Sequence, residues 1–304
     1  MNFIVKVNGY AQLRRFLFAF AGLSACFSSI LYQLVQLSLD NTLYSHLPLI
    51  PFISGYLVWT IKGVLPTPSP PRSKIAFIPL LVAGTLIGFS LFAQGSSIWH
   101  SENYLAAMTL AYVTLIVSFA CVFFGIETLK SIQFPLAFLF CIIPLPLFIV
   151  DGMEFFLQYT SAELAYRFIT LLDIPVLRES WLLFRLPTIT IVVASECSGI
   201  RASLVLFILS LVAAHLFLRS QWKKCFLVLF VIPLGITRNA LRIATIAALC
   251  TQIGPEMIDS SIHRRGGPYF FALSMVPFMI VLYLLIRSDR RLKDMPTHEK
   301  KSYT

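Results

Sequence analysis

Long apolar stretches dominate this chain, and short polar segments separate each one from the next. Eight stretches are long enough to cross a hydrocarbon layer of about 30 Å as a helix, which rises about 1.5 Å per residue. They cover residues 12–36, 47–65, 75–93, 104–125, 132–150, 197–218, 225–250 and 267–286. The first runs past Cys26 to Leu37 without a polar junction, so we expect a retained anchor. The pattern predicts an all-α polytopic membrane protein, one integral-membrane domain with about eight transmembrane helices.

The segment between the fifth and sixth stretches, residues 151–195, has a different pattern. Residues 152–172 place apolar side chains around polar ones, as in an amphipathic helix that lies on a bilayer surface. Residues 180–194 are rich in aromatic and β-branched side chains around Leu186-Pro187, which favours a short β-hairpin. We expect the helix and the hairpin to form an extracytoplasmic insertion.

Composition agrees with a membrane protein and excludes an ordinary soluble domain. Hydrophobic residues make up 58% of the chain and charged residues only 12%, whereas soluble domains carry about 25% charged residues. The net charge of +10 does not by itself indicate nucleic acid, because in a membrane protein the positions of the cations carry the information. We expect membrane lipids, and no nucleic acid, among the partners.

The cations also predict the orientation of the chain. With the N-terminus in the cytoplasm, sixteen of the 24 lysine and arginine residues fall on the cytoplasmic side and five outside. The cytoplasmic ones lie in the N-terminal segment, in residues 62–74, at Lys130, in residues 219–224 and from Arg287 to Lys301. Cytoplasmic segments of membrane proteins carry such an excess. We therefore expect an inner-membrane protein with both termini in the cytoplasm and a basic tail at residues 288–304.

Cys197 is the first candidate for chemistry, in the segment 195–203, which reads SECSGIRAS. It lies where the predicted hairpin passes into the sixth apolar helix. The helix N-terminus and Arg201, four residues on, would both favour the thiolate form. A small apolar packing role is the alternative for this cysteine.

Arg238 and Arg242, with Asn239 between them, form the second candidate group. Four residues separate the two arginines on one face of the seventh apolar helix, and Arg242 lies about 12 Å from its outer end. Charged side chains at such depth are costly and mark functional sites by default. A purely structural role, tying helices together, is the alternative.

His263 lies in SIHRRGG, on the same side of the membrane as Cys197. The loop that carries it can fold over the outer mouth, where Cys197 and Arg242 are expected. Together the three residues suit acyl transfer: a thiolate attacks a carbonyl, an imidazole protonates the departing amine and a guanidinium stabilises the oxyanion. This chemistry requires no cofactor or metal.

The strings ECSGIRAS, NALRI and HRRGG resemble, in order and spacing, the Cys, Arg and His blocks of the exosortase/archaeosortase family. The resemblance is strongest from about residue 140 to 287. It implies a multispanning cysteine protease or transpeptidase with Cys197 as the nucleophile, Arg242 as the stabilising arginine and His263 as the acid and base.

The resemblance also implies the partners. The family processes exported proteins with PEP-CTERM-type tails, in which a short motif precedes a hydrophobic helix and a basic cluster. Cys197 would form a thioester that an unknown acceptor, or water, resolves. The insertion 151–195 is expected to position the motif, and Glu196, beside the nucleophile, is a candidate to orient His263 or pair with an arginine. Arg201, Arg238 and Asn239 are further accessory candidates.

A transporter, or a non-catalytic scaffold component of polysaccharide export, is the alternative function. A transporter usually has charged or broken helices near the midplane in both halves, whereas the first five apolar stretches contain no buried charge. A metalloprotease is disfavoured because the chain contains no ligand pair such as HExxH.

Overall fold

The computed structural model describes residues 2–63, 66, 73–93, 101–194, 198–260 and 266–294. Within these residues the chain is mainly helical, with one small sheet. The α-helices are α1 (Asn2–Cys26), α2 (Ser28–Asp40), α3 (Leu49–Thr60), α4 (Ser73–Ala93), α5 (Ser101–Ser131), α6 (Gln133–Leu139), α7 (Leu147–Leu171), α8 (Ile200–Phe217), α9 (Gln221–Gln252) and α10 (Gly267–Asp294). Short 3₁₀ helices cover Thr42–Tyr44, Phe140–Ile142 and Pro255–Asp259.

The predicted multi-pass helical class is confirmed, but the predicted count of eight spans is not supported. By length and apolar composition, α4, α5, α8, α9 and α10 are candidate membrane spans in the described part of the chain. Two bent pairs, α1 with α2 and α6 with α7, raise the number to seven if each pair is one span. The five long helices match the predicted stretches 75–93, 104–125, 197–218, 225–250 and 267–286 to within a few residues at most of their ends. Two of them extend further, since α5 continues past a non-helical Gly125 to Ser131 and α10 continues to Asp294.

The differences lie in the other three predicted stretches. In the described residues of stretch 47–65 the α-helix is α3, whose 12 residues extend about 18 Å and are short for a complete crossing. Stretch 12–36 is bent by 71° between α1 and α2. Stretch 132–150 is broken before α7 with a bend of 89°, where Pro144 and Pro146 cannot donate the backbone hydrogen bonds of a helix.

The chain divides into two compact units, residues 1–149 and residues 150–304. In the first unit, hydroxyl groups connect neighbouring helices. Ser118 Oγ on α5 donates to the carbonyl of Ala76 on α4 at 2.9 Å, and Ser54 Oγ on α3 donates to that of Pro135 on α6 at 2.8 Å. Such interhelical hydrogen bonds are common between helices in an apolar environment.

In the second unit, α8, α9 and α10 share one apolar core, in which Leu206, Leu227 and Phe278 are almost completely buried. The connection between α8 and α9 is tied to the C-terminal part of α10. There Lys223 Nζ lies 2.6 Å from Asp289 Oδ1, and the backbone N–H of Arg219 donates to Asp289 Oδ2 at 2.9 Å. These contacts close one end of the three-helix group.

The small sheet consists of β1 (Leu177–Ser180), β2 (Leu183–Arg185) and β3 (Thr190–Val192) in the antiparallel order β1-β2-β3. The β2–β3 hairpin confirms the one predicted in residues 180–194. The strand β1 was not predicted. Thr188 Oγ1, in the loop between β2 and β3, donates to the carbonyl of Cys250 at 3.0 Å and so attaches the hairpin to α9.

The predicted helix 152–172 is present as the main part of α7. Small residues on its buried face, Ala162 and Ala165, pack against the sheet around the fully buried Phe184. Arg178 on β1 strengthens this contact, because its Nη1 donates to Glu163 Oε2 at 2.6 Å. Helix α7 and the sheet therefore form one packed layer.

Candidate active site

Gly199 immediately precedes α8, two positions after Cys197 in the sequence. Its backbone has φ +77° and ψ 12°, in the left-handed region that favours glycine. A Cβ atom at this position would lie 2.9 Å from Nη2 of Arg238 and 3.1 Å from Oδ1 of Asn239. Both the backbone conformation and the close approach of α9 therefore require glycine at the start of α8.

Arg238 joins α9 to this start. Its side chain is buried, with 6% of the residue exposed, and Nη2 donates to the carbonyl of Gly199 at 3.0 Å. The same carbonyl accepts the backbone N–H of Ser203 at 3.1 Å, the first helical bond of α8. Among the described residues, Nη1 of Arg238 has no hydrogen-bond partner. The guanidinium thus holds the first turn of α8 against α9.

The contacts of α9 with α8 define how the two antiparallel helices are aligned. Asn239 lies beside Gly199, and a Cβ atom on Gly235 would lie 2.8 Å from Ser203 Oγ. Helix α8 therefore begins level with Asn239, whereas α9 continues for another 13 residues to Gln252, about 20 Å. Along α9, Arg238 lies at the level where α8 begins, near the end of the contact between the two helices. Arg242 lies one helical turn beyond this level. The depth of the two arginines in the membrane stays a prediction.

The part of α9 beyond α8 packs against α7 and the sheet instead. Ala240, Ile243, Ala244 and Ala247 recur at helical spacing and are buried in the same cluster as Phe184. Three alanines on this face allow the strands and α7 to approach the helix axis closely. The outer turns of α9 are therefore packed against the layer of α7 and the sheet.

A cavity of about 130 Å³ lies between β3 and this part of α9. Arg242 and Asn239 contribute the polar groups of its lining, and the other side chains are apolar. They come from residues 191–194, from Ile243 and Ile246 on α9, and from Ile258 of the 3₁₀ helix Pro255–Asp259. A cavity of about 150 Å³ with an apolar lining is large enough to bind benzene, so this one can accept one apolar side chain beside a guanidinium.

The two arginines therefore have different surroundings, although four residues separate them on α9. Arg238 contacts the carbonyl of Gly199, whereas Arg242 lines the cavity together with Asn239. Asn239, Arg242 and Ile246 recur at helical spacing and so present one stripe to the cavity.

Of the remaining predicted site residues, the structure describes Arg201. Cys197, Glu196 and His263 lie outside the described residues. Arg201 is exposed in the first turn of α8. The expectation that Arg201 lies on the same helix face as Cys197 required both residues to belong to α8, but this helix begins only at Ile200.

The described ends of the chain around these residues border the cavity. Ala194 lines it and precedes Cys197 by three positions, and Ile258 lines it and precedes His263 by five. Two of the three resemblance blocks are thus connected to the cavity through short segments. The third block supplies Arg242 itself.

Sequence reasoning missed Gly199, Val192 and Ile258 as parts of this site. Gly199 had a usable signal, because a glycine directly before a helix often has a positive φ. Val192 and Ile258 had no such signal, since in so apolar a chain the sequence does not distinguish apolar residues that line a cavity from other apolar residues.

A comparison with known protein families covers most of the chain, including this site. No curated protein and no solved structure matches the chain. A family model described as transmembrane exosortase matches residues 38–280, a range that contains Cys197, Arg242 and His263. This family consists of membrane proteases and transpeptidases. Because the match covers far more than half of the sequence, the chain belongs to the transmembrane exosortase family.

Proposed function

We propose that this protein cleaves C-terminal sorting tails of exported proteins through a thioester on Cys197. The observation that carries the proposal is the cavity that contains Arg242 and is bordered by the segments leading to Cys197 and His263. Two peptide units separate Cys197 from Gly199, so their Cα atoms lie within about 7.6 Å of each other. Since Gly199 contacts Asn239, which lines the cavity, the nucleophile has a short path to it.

The proposed first step forms a thioester and releases the tail. The Cys197 thiolate attacks a carbonyl carbon of the substrate, and Arg242 donates hydrogen bonds to the resulting oxyanion. The C–N bond then breaks, and the His263 imidazolium transfers its proton to the departing amine nitrogen. The tail leaves with a free amine, and the upstream part of the substrate remains on sulfur.

The second step restores the enzyme. An acceptor amine, or water, attacks the thioester carbonyl while neutral His263 accepts its proton. The C–S bond breaks and the thiolate returns. Attack by an amine attaches the protein to its acceptor, and attack by water releases it.

The charge distribution supports an outward-facing site. Cations gather at the closed end of α8, α9 and α10, where Arg219, Lys223 and Lys224 precede or begin α9 and Arg287 lies on α10. The positive-inside rule puts this end in the cytoplasm. The cavity stripe on α9 begins 18 residues from Gln221, about 27 Å away along the helix, and thus faces the periplasm.

This orientation suits a substrate whose tail combines a motif, an apolar helix and a basic cluster. The basic cluster stays in the cytoplasm, the helix crosses the lipid beside the protein, and the motif reaches the outer cavity. We expect the sheet, whose strand β3 lines the cavity, to position the motif together with α7.

Co-expression with a tail-bearing precursor tests the proposal. Wild-type protein should shorten the precursor, and mass analysis of its new C-terminus gives the cut and any attached acceptor. Cys197→Ala should leave only full-length precursor in the membrane. Cys225→Ala is the matched control, because Cys225 is exposed near the cationic end of α9 and should process normally. Normal processing by Cys197→Ala would reject the nucleophile assignment, as expected of a transporter or a scaffold.

A further inference from the structure

The strand β3 is an edge of the sheet in the described part of the chain. It pairs with β2 on one side, and the order β1-β2-β3 leaves its other side without a strand. An edge strand presents backbone N–H and C=O groups that can pair with another extended chain.

The register identifies which groups are presented. Val193 N–H donates to the carbonyl of Leu182 at 2.8 Å, and Leu186 N–H donates to that of Ile189 at 2.9 Å. In an antiparallel pair, hydrogen-bonded and non-hydrogen-bonded positions alternate. Val192, opposite Leu183, is therefore at a non-hydrogen-bonded position, and its N–H and C=O point away from β2. Among the described residues neither group has a hydrogen-bond partner.

The cavity runs along this same edge. Four consecutive residues, 191–194, line it. Ile191 and Val192 belong to β3, so their side chains point to opposite faces of the strand, and Val193 and Ala194 continue the lining beyond its end. The cavity therefore follows the backbone edge at Val192 rather than one face of the sheet. The free groups of Val192 thus border a space whose opposite wall contains Arg242.

We propose, on the basis of the proposed function, that the segment of the substrate around the scissile bond binds as a fourth strand on the free edge of β3. Backbone hydrogen bonds to Val192 hold it in an extended conformation, in the manner of other peptides that add to a sheet edge. An apolar side chain of this segment occupies the cavity beside Ile246 and Ile258. A carbonyl or carboxylate oxygen of the segment faces Arg242.

This arrangement explains how a strand can act as a substrate guide. Val192 precedes Cys197 by only five residues in the sequence, so a peptide paired with β3 binds close along the chain to the proposed nucleophile. Recognition through backbone groups requires an extended peptide and leaves specificity to the few side chains that meet the cavity.

Val192→Pro tests the pairing. Proline removes the N–H group but breaks no bond between β2 and β3, because this group points away from β2. Val192→Thr is the matched control, since it keeps the N–H group and a β-branched side chain. Both changes are made in full-length Cys197→Ala protein in lipid nanodiscs. The measurement is the Kd of a fluorescent peptide that comprises the segment before the apolar helix of a tail-bearing protein.

We expect Val192→Pro to weaken binding about threefold to tenfold, as the loss of one net hydrogen bond predicts. Val192→Thr should bind within about twofold of the parent protein. Equal affinities of the two variants would overturn the proposal. A change in oligomeric state of Val192→Pro in light scattering would also overturn it, because the edge would then pair with a second copy.

A series of singly N-methylated peptides tests the same pairing without changing the protein. N-methylation should weaken binding only at alternate positions, since only every second N–H group of an added strand faces β3. Uniform effects along the peptide would overturn the proposal even if Val192→Pro fails to fold.

These binding measurements do not depend on catalysis. Alternating effects with no cleavage by wild-type protein would support strand addition and reject the proposed function. Cleavage by wild-type protein without alternating effects would support the proposed function and reject strand addition.

Discussion

At the residue scale, Gly199 determines the backbone conformation at the start of α8. A left-handed backbone costs a residue with a side chain about 1–2 kcal/mol, and Arg238 and Asn239 occupy the space that a side chain requires. The glycine therefore allows α9 to hold the backbone two positions from Cys197.

Gly199→Ala should lower the free energy of unfolding by about 1–3 kcal/mol, measured by denaturation of the purified protein in detergent. Gly152→Ala is the control, because nothing lies within 4 Å of a Cβ atom at this position in α7. It should leave stability unchanged or raise it by about 0.5–1 kcal/mol. Equal effects of the two changes would show that the space at Gly199 is not restrictive.

Arg242→Lys should slow tail cleavage by between about tenfold and a hundredfold, although it keeps the charge. A planar guanidinium can donate two parallel hydrogen bonds to an oxyanion, whereas an ammonium group on a flexible chain cannot reproduce this geometry. The measurement is the cleavage rate in a co-expression or nanodisc assay. Arg167→Lys, at an exposed site on α7, is the control and should cleave at the wild-type rate. A wild-type rate for Arg242→Lys would contradict the proposed role.

At the scale of elements, the contact between α8 and α9 depends on small residues. Gly235 faces Ser203 so closely that an added Cβ atom would lie 2.8 Å from Oγ and 3.6 Å from Cβ of the serine. This contact is one of the two that align the helices and thus place Arg238 at the start of α8.

Gly235→Ala should reduce stability by about 1–3 kcal/mol through overpacking. Ser203→Ala removes the hydroxyl oxygen and leaves only the 3.6 Å contact, so the double variant should recover most of the loss. Denaturation of the two single variants and the double variant gives the coupling energy. Gly84→Ala, at an open position on α4, is the control. Strictly additive effects would contradict a direct contact between positions 203 and 235.

At the scale of the whole molecule, the distribution of cations predicts an orientation in the membrane. The rule that cytoplasmic ends are positive is statistical and applies to whole ends rather than to single residues. Exposed positions at opposite ends of the second unit therefore provide a direct test.

Cys225, exposed near Lys223 and Lys224, should resist a membrane-impermeant maleimide in intact spheroplasts and react after permeabilisation. Leu171→Cys, at a site that is 78% exposed near the end of α7, should react in both states. Cys225→Ser identifies the signal of the native thiol. The reverse labelling pattern would place the cavity in the cytoplasm and contradict the proposed orientation.

Most long helices were predictable because a sufficiently long apolar segment forms a helix wherever water is absent. The sequence also predicts an acyl-transfer site of Cys197, Arg242 and His263 from three recognisable blocks, and this assignment stays a prediction. The sequence pattern did not predict the two places where an apolar stretch is bent or broken. Pro144 and Pro146 were visible signals for the break before α7, but the 71° bend between α1 and α2 at Phe27 had no comparable signal.

The sequence by itself therefore determined the class of the protein and its longest helices, because these depend on local composition and spacing. Only the tertiary structure decided that Arg238 contacts Gly199 while Arg242 lines a cavity, and that the edge of β3 borders this cavity. These features depend on where α8 begins relative to α9 and on which element packs beside the remaining turns of α9. Such contacts join segments distant in the sequence, and no local pattern specifies them.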